Sequence, residues 1–190
     1  MAQIKNILPP GTEIPHYFNK GTYGHWVEDQ VEQAGIAVNR GKGADIAALG
    51  TEIKSKGVES NSPHSIGTMT VQDIIHTAYE DSVIFEKMQH HYTVEYSNTR
   101  RVVVSEKEYD FTNPSIQVLF KETYEQCRAE IAENWKDGII LPYVSGPNGQ
   151  FEKVPNRDSY RFRIPVGAMK RIKGMAKSAN QFDNLFDIVE

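Results

Sequence analysis

The sequence predicts the mixed α+β (α/β) class, with a central mixed sheet flanked by helices. Apolar residues at helical spacing, runs rich in β-branched and aromatic residues, and clusters of turn residues follow one another along all 190 residues. Because helical and strand-like segments are interspersed, helices are expected to cover the sheet. The length suits a single domain, or one domain with two lobes at about residues 15–90 and 91–190.

The first predicted helix follows an irregular, proline-containing lead-in at residues 1–19. Tyr23 and Val27 begin an apolar stripe at helical spacing. Thr22 is a candidate N-cap, and Gly35 lies near the expected end of the helix.

A hairpin is predicted next, from strands near residues 44–47 and 51–56, followed by a polar loop at 57–67. Thr70 and Asp73 then have the spacing of a capping box, which predicts a helix that begins after Thr70. The later predicted elements are strands at 83–88, 92–96 and 101–105, a helix from 113 to about 135, and strands near 138–144 and 160–164.

Composition excludes several classes of function. The formal net charge is −4. The single cysteine, Cys127, excludes an intramolecular disulfide and disfavours a zinc cluster, and its helical spacing indicates a buried or neutral role. Phosphate-binding and dinucleotide-binding glycine motifs are absent, so ATP or NAD chemistry has no support. No apolar run approaches the roughly 20 residues that cross a bilayer, and the first residues lack the apolar stretch of a signal peptide. We therefore expect an intracellular protein without a membrane partner.

The segment with the most chemical content places Asp45 before a turn and Glu52 two residues before Lys54. Side chains alternate along a strand, so Glu52 and Lys54 share one face and Ile53 points to the core. Two carboxylates can bind Mg²⁺, and a nearby ammonium can orient a water or stabilise charge on a phosphate. The alternative is a chance pattern in a solvated hairpin.

A third carboxylate is predicted on the preceding helix, where Gly24 and Glu28 share a face. A glycine one turn before Glu28 leaves the carboxylate unobstructed and allows a close approach of backbone or ligand. The alternative is that Glu28, like Asp29 and Glu32, is a surface residue of the helix.

These two blocks together resemble the MutH mismatch-repair endonuclease and its type II restriction relatives, within the PD-(D/E)XK nuclease superfamily. The matching residues are Lys20-Gly21-x-x-Gly24-x-x-x-Glu28 and Ala44-Asp45-x-Ala47-Ala48-Leu49-Gly50-x-Glu52-Ile53-Lys54. Ala44 replaces the family's usual proline, and the likeness becomes loose beyond about residue 60.

The resemblance implies a restriction-endonuclease-like fold and the roles of individual residues. Asp45 and Glu52 are expected to ligate Mg²⁺, for which Mn²⁺ is a possible substitute, with Glu28 as the additional acid and Lys54 as the catalytic lysine. Lys87 is similar in placement to a later lysine that the family brings to its active site. A bacterial or phage-infected cell is the implied setting.

Alternatives remain for the Lys87 region. Lys87 also fits a solvated lysine at a strand edge, and His90 or His91 could contact phosphate in its place. A histidine pair in such a strand is also compatible with a structural role.

Double-stranded DNA is the expected partner because basic residues are segregated. Residues 153–177 hold eight basic residues and one acidic residue, out of chain totals of 21 and 25. A basic surface beside an acidic metal site gives a polyanion a place to dock. The alternatives are an ordinary solvated face and a surface that binds some other anion. The candidate DNA contacts are Lys20, Arg100, Arg101, Arg157, Arg161, Arg163, Lys170, Arg171 and Lys173.

The predicted function is magnesium-dependent hydrolysis of DNA phosphodiester bonds by a sequence-directed restriction or repair endonuclease. A homodimer or an accessory protein on the DNA is a possible assembly. The alternatives are a DNA-binding accessory protein that does not cleave, and a recombination or RNA-directed nuclease of the same superfamily.

Overall fold

The computed structural model describes residue 4, residues 6–16 and residues 21–186, with side chains at all of these except residues 21 and 178–186. Contacts divide the chain into two compact units that are discontinuous in sequence. Unit 1 combines the described residues up to Asn61 with Gln89–Asp110, and unit 2 combines Ser62–Met88 with the described residues from Phe111 onward. This partition differs from the two lobes considered above, at about residues 15–90 and 91–190, because each unit combines segments from both sides of residue 90.

Unit 1 contains a three-stranded mixed sheet, ordered β1-β3-β4. Strand β1 (Thr51–Gly57) pairs parallel with β3 (His90–Ser97), which pairs antiparallel with β4 (Val102–Asp110). One face of this sheet is apolar, and it carries Ile53 and Tyr92.

Helix α1 (Gly21–Gln33) supplies the other half of the apolar core of unit 1. Val27 and Val31 are fully buried in one cluster with the sheet, and the ring of Tyr23 stacks on that of Tyr96 at 4.6 Å. Burial of each such aliphatic side chain contributes about 1.5–3 kcal/mol. The predicted helix is therefore confirmed, including its end before Gly35, whose φ is +87°. Thr22 lies inside the helix and is not its N-cap.

The predicted hairpin at 44–47 and 51–56 is wrong in its first strand. Residues Ala47–Leu49 form a 3₁₀ turn, and only the bridge between Ile46 and Thr51 pairs the two segments. Gly50 reverses the chain with a left-handed φ of +58°, and beyond this bridge Ile53 N donates to the Asp45 side chain and not to the backbone of the preceding segment. The main partner of β1 is β3.

Unit 2 contains a four-stranded antiparallel sheet, ordered β2-β7-β6-β5. The strands are β2 (His64–Thr70), β5 (Tyr143–Ser145), β6 (Gln150–Lys153) and β7 (Ser159–Ile164). The predicted loop at 57–67 therefore ends earlier than expected, and the strand predicted at 138–144 begins later.

In the described residues this sheet is accompanied by the helices α2 (Val71–His76), α3 (Val83–Lys87), α4 (Pro114–Lys136) and α5 (Val166–Phe186). Tyr124 of α4 packs edge-on against Phe151 of β6, with ring centroids 5.7 Å apart. The β5–β6 turn lies against the same helix, because a Cβ on Gly146 would come within 2.9 Å of the Thr123 side chain. An alanine at position 146 would therefore force the turn away from α4.

Two predicted helix starts are confirmed by their caps. The side chain of Thr70 accepts a 3.0 Å hydrogen bond from Asp73 N, and the side chain of Asn113 caps α4 through Ser115 N. The strand predicted at 83–88 is wrong, since Ser82 Oγ accepts a bond from Phe85 N and starts helix α3 instead.

The observed class is mixed α and β, with one mixed and one antiparallel sheet in the described residues, as the sequence predicts. None of the helices in the described part of the chain has the length and apolar character needed to cross a bilayer.

Candidate functional site

Strand β1 places Glu52 and Lys54 on the face of its sheet opposite the apolar core. The alternation of the strand sends Ile53 into that core and its two neighbours to the other side. Lys54 Nζ donates a 2.6 Å hydrogen bond to Glu52 Oε1, and the two side chains are 18% and 3% exposed. A charged pair with so little exposure is largely removed from water, which strengthens its attraction and raises the cost of separating it.

Asp45 lies at the outer edge of β1. Its Oδ2 atom accepts a 2.8 Å hydrogen bond from Ile53 N, the backbone amide of the residue between Glu52 and Lys54. The backbone of the same segment is held by hydrogen bonds in both directions between Ile46 and Thr51. Asp45 therefore satisfies a donor of an edge strand and lies beside the part of β1 that carries the Glu52–Lys54 pair.

Glu28 has a different set of partners. Its Oε2 atom lies 3.3 Å from His25 Nδ1 and 3.6 Å from Arg40 Nη1. Arg40 also contacts Asp29 at 2.7 Å and Glu32 at 2.8 Å, so it joins three acids of α1. Glu28 is thus part of a helix-surface ion network, as in the surface alternative.

The residues fit a metal ion only in part. Among the described residues, no three histidine, cysteine, aspartate or glutamate side chains form a group that could hold a metal, so the expected set of Asp45, Glu52 and Glu28 is not assembled as one cluster. Magnesium is commonly bound by one or two carboxylates, with waters and substrate phosphate completing its shell. Asp45 and Glu52 have the chemistry for such a site, whereas Glu28 remains with Arg40.

Strand β3 contributes polar residues that sequence reasoning missed or left open. In the β1–β3 register His91 is the partner of Glu52, and Thr93 is the partner of Lys54. His91 and Thr93 are 1% and 2% exposed. Thr93 Oγ1 is buried and has no hydrogen-bond partner among the described residues. The signal was present in the sequence, because His91, Thr93 and Glu95 alternate with apolar residues.

Strand β4 completes this polar face. Tyr109 is the register partner of His91, and Lys107 is the partner of Thr93. Burial, with a further contribution from the charge of Glu95, raises the pKa of Tyr109, so its phenol stays protonated at neutral pH.

Lys87 is the last residue of α3 and belongs to unit 2, whereas Asp45, Glu52 and Lys54 belong to unit 1. Its side chain runs along Gly67, where a Cβ would lie 3.3 Å from Lys87 Cδ. Its position on a helix removes the strand-edge alternative.

The candidate DNA contacts of unit 1 are Arg100 and Arg101, in the turn between β3 and β4. Both are exposed, and Arg101 has a left-handed φ of +55°. They line an open cleft of about 240 Å³ with Glu13, Ile14 and Val102. Lys20 lies outside the described residues.

The candidate contacts of unit 2 lie on a turn, a strand and a helix. Arg157 is exposed between β6 and β7, while Arg161 and Arg163 alternate along β7 with the buried Tyr160 and Phe162. Arg163 donates to Glu152 on the neighbouring strand. On α5, Lys170 and Arg171 are exposed, Lys173 is half-buried, and Arg171 donates to Asn148.

No protein-family model matches the chain, and no curated protein matches it.

Proposed function

We propose that the chain is a magnesium-dependent DNA endonuclease that hydrolyses phosphodiester bonds at the site on β1. The observation that carries the proposal is the nearly buried Glu52–Lys54 pair, whose strand is bound at the intervening Ile53 by the carboxylate of Asp45. A buried charge pair costs free energy to maintain, and such groups are typical of functional sites.

The groups suit this chemistry because each is held by the fold. Asp45 is oriented by Ile53 N, and Glu52 is fixed on the strand, so two hard oxygen donors come from adjoining segments. Magnesium, when bound, would polarise the phosphate and lower the pKa of an attacking water. Lys54 would position that water and stabilise negative charge on the phosphate. The water forms a new P–O bond, one ester P–O bond breaks, and the leaving oxygen takes up a proton.

Binding of the duplex is assigned to the arginines and lysines of residues 153–177, with Arg100 and Arg101 as further contacts. These side chains neutralise phosphates and give affinity that falls with salt. Arg161 is the most suitable single residue, since β7 fixes its backbone and its side chain is part-exposed.

The test is cleavage of supercoiled plasmid that is unmodified, hemimethylated or fully methylated, with Mg²⁺ or with EDTA. We expect EDTA-sensitive, site-defined products from the wild type and none from Lys54→Ala. Lys56→Ala is the matched control, because Lys56 lies two residues further on the same face of β1. Cutting by Lys54→Ala at the wild-type rate would remove the catalytic assignment.

A DNA-binding accessory protein that does not cleave is the second candidate. It is favoured by the pairing of Lys54 with Glu52 and by the lack of a three-residue metal group among the described residues. A mobility shift of duplex DNA with no cutting under any metal would support this candidate and exclude the endonuclease.

A further inference from the structure

The polar face of the unit 1 sheet is organised in rows that run across its three strands. The register places Glu52, His91 and Tyr109 in one row, and Lys54, Thr93 and Lys107 in the next. Side chains that are register partners point to the same face, and neighbouring strands lie about 4.8 Å apart. The second row therefore has a hydroxyl at its centre and one lysine on either side.

The centre of this row carries an unused hydrogen-bonding group. Thr93 is 2% exposed, and within the part of the chain that the structure describes its Oγ1 atom has no hydrogen-bond partner. An unsatisfied buried hydroxyl is unfavourable, and native proteins keep few of them. A group kept at such a cost is a candidate for contact with a ligand.

The ends of the row are positively charged and accessible. Lys107 is exposed, and the side chain of Lys54 is 18% exposed. Both ammonium groups are donors and the Thr93 hydroxyl can also donate, so the row has the hydrogen-bonding groups that bind an oxyanion. Lys54 donates to Glu52, and it would bind an anion at the row by exchanging that bond.

We propose that Lys54, Thr93 and Lys107 form a phosphate-binding row, with Thr93 Oγ1 donating to a phosphate oxygen and the two lysines neutralising its charge. The ligand is a phosphodiester of the DNA strand, so this assignment rests on the proposed function. Thr93 and Lys107 are then substrate-contacting residues beyond the carboxylates and Lys54.

The first test needs no cleavage. Thermal unfolding of the full chain is measured in EDTA with inorganic phosphate, against chloride at equal ionic strength. For a dissociation constant near 1 mM, 10 mM phosphate is expected to raise Tm by about 3–6 °C. Thr93→Val and Lys107→Gln should lose most of this rise. Lys56→Gln, in the adjoining row with Glu95, should keep it.

Thr93→Val has a second readout. Without phosphate, Tm should rise by about 2–4 °C, because a methyl group replaces an unpaired buried hydroxyl. A fall in Tm would show that the hydroxyl is bonded within the protein, and it would overturn the assignment. Lys107→Gln keeps the test valid if Thr93→Val fails to fold, since Lys107 is exposed.

A short DNA duplex in EDTA separates the two sources of phosphate. Loss of duplex affinity by at least about 5-fold in both Thr93→Val and Lys107→Gln supports a phosphodiester. A phosphate response without this loss would limit the row to free phosphate and overturn the substrate assignment. An unchanged phosphate response in both variants would overturn the row, even in a protein that cleaves plasmid. Failure of the wild type to cleave would overturn only the nuclease proposal.

Discussion

Lys54 and Glu52 form a 2.6 Å ion pair on one strand, with little solvent contact at either side chain. An exposed ion pair contributes little to the free energy of unfolding. Removal of one partner from a buried pair is costly, because it leaves an uncompensated charge in the protein. The pair therefore links the stability of β1 to the chemistry proposed for it.

A double-mutant cycle should measure that link. Glu52→Gln and Lys54→Met are each expected to lower the free energy of unfolding by about 2–4 kcal/mol, and the double variant by clearly less than their sum. Urea unfolding provides the values. The exposed pair Glu133–Lys136 on α4 is the control, with an expected coupling of about 0.3–0.5 kcal/mol. Equal coupling energies for the two pairs would contradict the prediction.

Two substitutions of Asp45 should separate its structural role from its catalytic role. Asp45→Asn retains an oxygen acceptor for Ile53 N, whereas Asp45→Ala leaves this donor without its partner. We expect Asn to cost less than about 0.5 kcal/mol and Ala about 1–2 kcal/mol in urea unfolding. Both should abolish plasmid cleavage. Cleavage by the Asn variant at the parental rate would exclude Asp45 as a metal ligand.

Glu28 should be less important for cleavage than Asp45. Because Arg40 and His25 contact its carboxylate, a role at the metal would be indirect. Glu28→Gln is therefore expected to reduce the cleavage rate by less than the about 10- to 100-fold that is typical of a residue bonded to a metal ligand. The matched change is Glu32→Gln, in the same ion network, which should leave the rate unchanged. Complete loss of activity in Glu28→Gln would instead support direct ligation.

Arg161 should contribute one phosphate contact. Arg161→Gln is expected to weaken duplex binding at low salt and to reduce the slope of log K against log salt by about 1. Fluorescence anisotropy over a salt series measures both values. Arg128→Gln is the control in the same unit, since Arg128 already bonds Glu125 at 2.9 Å. An unchanged slope would exclude Arg161 from the interface.

Cys127 should react only when the chain unfolds. Burial raises the pKa of its thiol from the ordinary value of 9.0 to about 12. A folded-state pKa above the unfolded value adds stability that is complete below pH 9 and declines as the pH rises toward 12. A thiol reagent at pH 8 should label the protein in urea and leave the native protein unlabelled. Fast labelling without denaturant would contradict the burial of this residue.

Local signals made several elements predictable. The apolar stripe of α1, the cap at Thr70 and the Asn113–Pro114 start of α4 depend on neighbours within one or two turns. Strand β6 is short and falls between two turns, and α5 contains Gly167 and Gly174 in a basic segment, so neither had a clear local signal.

The candidate site was likewise predictable only where it depends on local spacing. Alternation placed Glu52 and Lys54 on one face, and the structure confirms that placement. The parallel pairing of β1 with β3, which adds His91 and Thr93, depends on a contact between distant segments. The partners of Glu28 depend on Arg40, beyond the end of the helix. Neither could be deduced from local spacing.

The insertion of Ser62–Met88 between β1 and its partner strand has a consequence during translation. A ribosome adds about 5–20 residues per second, so β1 is complete about 2–7 s before the first residue of β3 is made. Throughout that interval the nascent chain contains Glu52 and Lys54 but no second strand to hold them in place. The polar face that carries the proposed site is therefore complete only after β4 has been made, up to Asp110.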